Sequence, residues 1–173
     1  MEARQAFRDE IFKWFTDNGI SEVSGLAIAG NFAYEVDNQV IRIGLLEYEE
    51  VGSWFKEFLT EHGCQYVDLP TPVLSFLHEV GHSQTLKWFS DHDLDICSMY
   101  KIKAREIDGW KASIMKYWTA ADEFAANRWV VNFLNNHLDA ACELWNIFST
   151  YWNKLLADHS LTFFTYANIS IDL

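Results

Sequence analysis

The chain carries little positive charge. Its 173 residues include 13 Lys and Arg against 25 Asp and Glu, which gives a formal net charge of −12. Binding to a nucleic acid needs a positive surface that releases counterions from the phosphate backbone, and an anionic membrane attracts the same kind of surface. We therefore expect a soluble protein whose partners include neither nucleic acid nor a membrane.

Long hydrophobic runs and targeting segments are also missing. No stretch reaches the roughly 18 apolar residues of a membrane-spanning helix, and the first residues, MEARQ, lack the basic-then-apolar pattern of a signal peptide. The three cysteines, Cys64, Cys97 and Cys142, lie far apart without a C-x-x-C pair. This spacing indicates reduced thiols rather than a disulfide framework or a cysteine zinc cluster. Together these absences predict a cytoplasmic protein.

The remaining composition is that of a globular protein. Half of the residues are hydrophobic (50%), and the length suits one domain with a substantial core. Repeats, linkers and low-complexity segments are absent from the sequence. We therefore expect a single domain over residues 1–173, and the sequence makes no prediction of its oligomeric state.

The order of the predicted elements indicates the α+β class. Apolar residues at helical spacing predict helices over residues 3–17, 49–61, 72–87, 107–136 and 139–157, and a cap at Thr119 divides the fourth of these so that its second part runs over 119–136. Segments rich in β-formers predict strands over residues 22–29, 32–36, 39–45 and 64–69. A tight turn at Asp37-Asn38 joins two of them, so the expected sheet is small and mostly antiparallel, packed against several helices. Residues 90–93 are turn-like, residues 94–103 weakly helical, and residues 161–173 a last strand or an irregular arm.

The motif His78-Glu79-Val80-Gly81-His82 carries the chemistry of the chain. Histidines at positions i and i+4 of a helix share one face, so both imidazoles can reach one cation. The glutamate between them suits a base that takes a proton from a zinc-activated water, as in the H-E-x-x-H signature. Thr71 as a cap and Pro72 at the first helical position independently predict a helix around the motif. The alternative is an ordinary amphipathic helix.

A catalytic zinc ion usually takes three protein ligands. A third histidine at the metzincin spacing would occupy position 88 and follow a glycine at position 85, but the chain has Trp88 and Thr85. An acidic ligand from a later helix remains, and Glu123 on the helix predicted over 119–136 is the best candidate. Glu106 and the cluster Asp91-His92-Asp93 are the alternatives. Glu123 has an alternative role too, because the helix dipole alone favours an acidic residue in a first turn.

The segment Glu123-Phe124-Ala125-Ala126-Asn127, taken with the H-E-x-x-H motif, resembles the E-x-x-A-N segment of gluzincin-type metallopeptidases, including the phage and prophage proteins of the ImmA/IrrE group. The resemblance covers about residues 72–134, with an insertion around residues 90–110. It implies a zincin-like fold, a Zn²⁺ ion held by His78, His82 and Glu123, and Glu79 as general base. It also implies that Asn127 accepts a hydrogen bond from the ring N–H of His78.

The same resemblance implies a substrate. Zincins bind an extended peptide along an edge strand, which residues 32–45 or 64–69 would supply here. We therefore expect a zinc metallopeptidase that acts on a peptide or protein. The alternatives are a non-catalytic interaction module with the same fold and hydrolysis of a non-peptide amide. The donor that stabilises the oxyanion is left open among Tyr100, Tyr117 and His92.

Overall fold

The computed structural model describes residues 2–45 and 49–158. Its helices are α1 (Glu2–Asp17), α2 (Glu49–Glu61), α3 (Thr71–Thr85), α4 (Asp91–Arg105), α5 (Trp110–Tyr117), α6 (Ala121–Asn136) and α7 (Leu138–Asp158), with a 3₁₀ turn at Leu86–Trp88. Its strands are β1 (Gly25–Ala29), β2 (Ala33–Glu35) and β3 (Val40–Gly44). The predicted α+β class is confirmed. The segment 161–173, expected as a strand or an arm, lies outside the described residues.

The sheet is mixed rather than mostly antiparallel. Its strand order is β1-β3-β2, with β1 parallel to β3 and β2 antiparallel to β3. The chain reverses after β1 and again after β2, so β3 runs in the direction of β1 and lies between the other two strands. Strand propensity does not reveal this order. The turn between β2 and β3 takes residues 36–39 instead of two residues, and Gln39 adopts a φ of 52° there.

Helix α3 runs through the centre of the core. Its side chains Val73, Leu74, Phe76, Leu77 and Val80 are fully buried. Pro70 precedes the helix, and the carbonyl of Pro70 accepts from the N–H groups of residues 73 and 74. The predicted side-chain cap by Thr71 is wrong, because the helix begins at Thr71 itself. Pro72 still lies in the first turn. Backbone N–H groups in this turn have no acceptor within the helix, so a proline there costs no hydrogen bond.

Helix α6 packs closely against α3, and this is the most extensive contact between two elements. Gly81 makes the approach possible: a Cβ atom at this position would lie 2.6 Å from the carbonyl oxygen of Ala126. The H-E-x-x-H motif on α3 and the segment 123–127 on α6 therefore lie on adjoining helices. Because Ala126 is flanked by Asn127 and follows Glu123 by three residues, the close approach also brings the acidic part of α6 to the histidines of α3.

The segment 64–69 is not a strand. The backbone N–H of Gln65 donates to the Asn135 side-chain oxygen at 2.9 Å, and the Asn135 side-chain nitrogen donates to the carbonyl of Gly63, also at 2.9 Å. An amide side chain of α6 therefore takes the hydrogen bonds that a neighbouring strand would otherwise satisfy. Among residues 2–45 and 49–158, no helix is long and apolar enough to cross a membrane.

The insertion between the two motif halves is more helical than predicted. Ser90 and Asp93 form a reciprocal capping box at the start of α4, so the predicted turn is the first part of a helix. Gly109, with a φ of 92°, separates α4 from α5. The predicted cap of α6 by Thr119 is wrong. Its hydroxyl donates to the carbonyl of Lys116 at 2.7 Å, and α6 begins two residues later.

Candidate metal centre

Three side chains converge between α3 and α6. The Nε2 atoms of His78 and His82 are 3.1 Å apart, and they lie 3.1 Å and 3.4 Å, respectively, from the Oε2 atom of Glu123. His82 and Glu123 are buried, and the side chain of His78 is 13% exposed. These three residues form a cluster that can hold a metal ion. Of the candidates that the sequence offered, the structure brings this set together.

Asn127 determines which nitrogen of His78 faces the cluster. The Asn127 Oδ1 atom lies 2.8 Å from His78 Nδ1, so the protonated Nδ1 of the ring donates to the amide oxygen. In the neutral ring, Nε2 then carries a lone pair directed at the carboxylate of Glu123. Two groups with lone pairs at 3.1 Å repel each other unless a proton or a metal cation lies between them. The arrangement can therefore hold a proton or a metal cation.

The electrostatics of the pair follow from this contact. Burial lowers the pKa of His78, but the hydrogen bond with Glu123 and the charges of Glu79 and Glu123 outweigh burial and raise it to about 9. For Glu123, burial raises the pKa, but the hydrogen bonds from both imidazoles hold it well below its usual range. In the absence of a metal ion, a proton on His78 Nε2 thus satisfies the contact with Glu123 Oε2.

Glu79 lies beside the three donors and is buried, with 8% of its surface exposed. Burial raises the pKa of its carboxyl, while electrostatic attraction to the neighbouring His78 opposes that rise. The backbone of Tyr34, on strand β2, also acts against the rise in this pKa, so this strand lies next to Glu79. A buried carboxyl with a raised pKa suits a group that accepts and returns a proton.

Lys101 is a member of the site that the sequence did not reveal. It extends from α4, and its Nζ atom donates to Asp122 Oδ2 at 2.6 Å and to Glu123 Oε1 at 3.2 Å. Glu123 thus directs one oxygen to the histidines and the other to an ammonium group. Asp122 is buried in this ion pair. No sequence spacing connects position 101 with positions 122 and 123, so only the packing of α4 against α6 reveals the contact.

A cleft of about 600 Å³ opens onto the cluster. Its walls come from β2 and the residues beside it, from α2, α3 and α4, and from the end of α5. Of the three candidate oxyanion donors, Tyr117 lines the cleft. Tyr100 does not line it, and its hydroxyl bonds to the Thr119 hydroxyl at 2.8 Å. His92 is exposed in the first turn of α4 and is not part of the lining either.

The alternative third ligands are separate from the cluster. Glu106 and the cluster Asp91-His92-Asp93 are exposed at the two ends of α4. Within residues 2–45 and 49–158, the only group of His, Cys, Asp or Glu side chains that can hold a metal is the one on α3 and α6. In the same part of the chain, His82 Nδ1 has no hydrogen-bond partner, so of the two histidines only His78 has its Nδ1 atom held by a side chain.

Comparisons of the chain with family models, with curated proteins and with solved structures found no match. A functional interpretation therefore depends on the motif and on the geometry of these residues.

Proposed function

We propose that this protein is a zinc metallopeptidase of the gluzincin type, related in its motifs to the ImmA/IrrE group. The convergence of His78, His82 and Glu123 on one point, with Glu79 beside it, carries the proposal. Bonds of about 2.0–2.1 Å in a tetrahedral zinc site place neighbouring donor atoms roughly 3.3 Å apart. The three distances in the cluster are 3.1, 3.1 and 3.4 Å, so the donors fit such an ion with little movement.

The type of donor supports zinc over harder cations. Calcium and magnesium prefer oxygen ligands in larger numbers, whereas two imidazoles and one carboxylate form a known catalytic zinc set with a fourth position open. The cleft of about 600 Å³ lies at this open side. The three cysteines are free thiols, which fits our proposal that the protein works in the reducing cytoplasm.

A zinc ion at such a site supplies a water of lowered pKa and polarises the carbonyl that is attacked. The residues of this chain then have separate tasks. Glu79 accepts the proton of the attacking water and returns it to the leaving amine. Tyr117 lines the cleft, and burial together with the Glu123 carboxylate raises its pKa, so its phenol stays protonated and can donate to a developing oxyanion.

Strand β2 supports a peptide as the substrate. It is an edge strand of the sheet, and its residues Ala33 and Tyr34 line the same cleft as the metal cluster. An extended peptide can pair with the free edge of a strand through backbone hydrogen bonds. Tyr34 lines the cleft together with Glu79, so this edge lies near the proposed base. A peptide on β2 would therefore lie next to the reacting groups.

Two measurements test the proposal. Metal analysis of protein purified without added zinc should find near-stoichiometric zinc, which His78→Ala should abolish. Wild-type protein should then cleave members of a peptide library, and Glu79→Gln should bind zinc equally well but lose at least about 100-fold in cleavage rate, the size of a general-base contribution. Glu10→Gln, at an exposed position of α1, is the matched control and should remain active.

Two outcomes would contradict the proposal. Zinc-loaded protein that is as inert as Glu79→Gln across the library would favour the non-catalytic interaction module. Protein that binds no metal, or binds it equally well after His78→Ala, would remove the basis of the metal site itself.

A further inference from the structure

The outward face of α4 carries a row of exposed apolar side chains. Ile96, Met99 and Ile102 are 52%, 61% and 59% exposed, respectively. They are spaced three residues apart, so they lie along one side of the helix. The opposite side of α4 packs inward through Cys97 and Ala104, both of which are buried. Large apolar side chains in a row on an exposed helix face indicate a surface that another surface covers.

This face does not belong to the proposed peptidase site. The residues of α4 that line the cleft are Leu94, Ser98 and Lys101. At 100° per residue, these positions point well away from Met99. A surface that covers the outward face would therefore leave the cleft and the metal cluster accessible, and the two can be tested separately.

The charges around the row are arranged symmetrically about Met99. Asp95 lies four residues before Met99 and Lys103 four residues after it, and both are exposed. Ile96 and Ile102 lie three residues on either side. Thus, moving outward from Met99 in either direction, the face presents an isoleucine and then a charge, and the charge is negative on one side and positive on the other.

We propose that this face binds the same face of a second copy of the chain, with the two α4 helices antiparallel and a twofold axis at Met99. In this register Met99 packs on Met99, each Ile96 meets the Ile102 of the other copy, and each Asp95 meets its Lys103. An isologous contact requires a surface that is complementary to itself. The pattern of α4 fulfils that requirement, since every residue of the face has a fitting counterpart at the same distance from Met99.

A parallel pairing does not fulfil it. Parallel α4 helices would place Asp95 against Asp95 and Lys103 against Lys103, and like charges in contact are unfavourable.

The size of the interface sets a further expectation about the strength of the dimer. A helix of 15 residues is about 22 Å long, and a pair of such helices buries less than the ~1,200 Å² of a standard stable interface. The dimer is therefore reversible and depends on concentration.

Sedimentation velocity of the complete 173-residue chain from about 5 to about 500 µM tests this proposal, over a range suited to a small, weak interface. Wild-type protein should shift from monomer to dimer within this range, and Met99→Glu should remain monomeric. Trp145→Glu is the matched control, because it also places a glutamate at an exposed apolar position, which lies on α7 and is 41% exposed. This variant should dimerise like wild type. Circular dichroism and zinc content identify any variant that fails to fold.

Charge reversal tests the register. Asp95→Lys and Lys103→Asp should each weaken the dimer by about tenfold, because two attractive pairs become repulsive. The double variant Asp95→Lys/Lys103→Asp should recover it. A mixture of the two single variants should form a heterodimer that is tighter than either homodimer, since both of its pairs are attractive.

The proposal is overturned if wild type remains monomeric at the highest concentration, or if Met99→Glu dimerises like wild type. A dimer that forms but responds to neither charge reversal nor mixing would overturn the antiparallel register.

Discussion

Replacing Gly81 by alanine tests whether the approach of α3 and α6 builds the metal centre. Gly81 lies one residue before His82, and its Cα faces the backbone of Ala126 between Glu123 and Asn127. A Cβ atom at position 81 would lie 2.6 Å from the Ala126 oxygen and 3.1 Å from its carbonyl carbon. Because the neighbouring atoms are backbone, no side-chain rotation can relieve the contact, and α6 must move as a whole.

Two effects oppose each other, and their sizes decide the outcome. Alanine is favoured over glycine in a helix by about 0.8–1 kcal/mol. Overpacking of a well-packed core costs about 1–3 kcal/mol, and relief here needs a displacement of at least about 0.8 Å to restore ordinary van der Waals distance. We therefore expect a net loss of about 1 kcal/mol, or a decrease in Tm of about 2–4 °C for a chain of this size.

The effect on metal binding should be larger than the effect on stability. A shift of α6 carries Glu123 away from the two histidines, and a metal site tolerates errors of only about 0.2 Å in ligand distance. We expect the zinc affinity to fall at least about tenfold, as for changes in residues that orient ligands. Competition titration with a chromophoric chelator measures the affinity, and thermal unfolding of metal-free protein measures the stability.

Gly52→Ala is the matched control for this prediction. It makes the same change in a helix, and its new Cβ would also contact a neighbouring helix, but the atoms it meets belong to the side chain of Thr71, in the first turn of α3 and about two turns before His78, rather than to the backbone beside a metal ligand. Zinc affinity should remain close to that of wild type. If Gly81→Ala is as stable as wild type and binds zinc as tightly, the close contact of α3 with α6 does not position Glu123.

Other predictions concern the neighbours of the ligands. Asn127→Ala removes the acceptor of His78 Nδ1–H and should weaken zinc binding by about 10–100-fold in the competition titration, while Asn127→Asp keeps an acceptor and should bind zinc as tightly as wild type or tighter. Lys101→Met leaves Asp122 and Glu123 buried without their ammonium partner, so the metal-free protein should lose about 2–4 kcal/mol in chemical denaturation. Added zinc brings positive charge to Glu123 and should restore part of this loss. Equal losses with and without zinc would contradict the ion pair of Lys101 with Glu123. The pKa of His78 is raised from 6.5 to about 9, so its charge stabilises the metal-free protein fully below pH 6.5 and no longer does so once the pH has risen through 9. The Tm of chelator-treated protein should therefore fall over this interval, and zinc-loaded protein should not show the same fall.

Local sequence patterns predict most of the helices, and they include the three residues of the candidate metal cluster among the alternatives they offer. Helices α1, α2 and α7 follow the predicted bounds to within one residue, because each has a strong apolar period, and in α1 and α2 this period coincides with a glycine stop signal. His78 and His82 share a face through helical geometry alone, and Glu123 then lies on the helix that packs against that face. The sequence could not give the distances, because these depend on how closely α6 approaches at Gly81.

Two of the missed features depend on contacts between residues that are distant in sequence, and a third depends on a local cap. Strand order in the sheet follows from where β3 lies relative to β1, and the segment 64–69 is irregular because Asn135 binds its backbone. The helix α4 was underestimated because the capping box at Ser90 has an aspartate where the usual pattern has glutamate or glutamine. With α4 unrecognised as a continuous helix, the contact of Lys101 with the metal cluster was not predictable.

The charges around the cluster explain why a divalent cation fits it better than a proton. Glu79, Asp122 and Glu123 are buried carboxylates, and Lys101 is the one ammonium group that pairs with them in the described part of the chain. A proton on His78 balances one of the two negative charges that remain when all three are ionised, whereas a divalent cation balances both. Ionised groups are costly to bury without compensation, so the metal-free site retains a deficit that zinc removes. Zinc binding should therefore stabilise the folded chain, by about 2.7 kcal/mol when free zinc is 100 times its dissociation constant, and the same binding should lower the pKa of Glu79 because the cation favours its carboxylate.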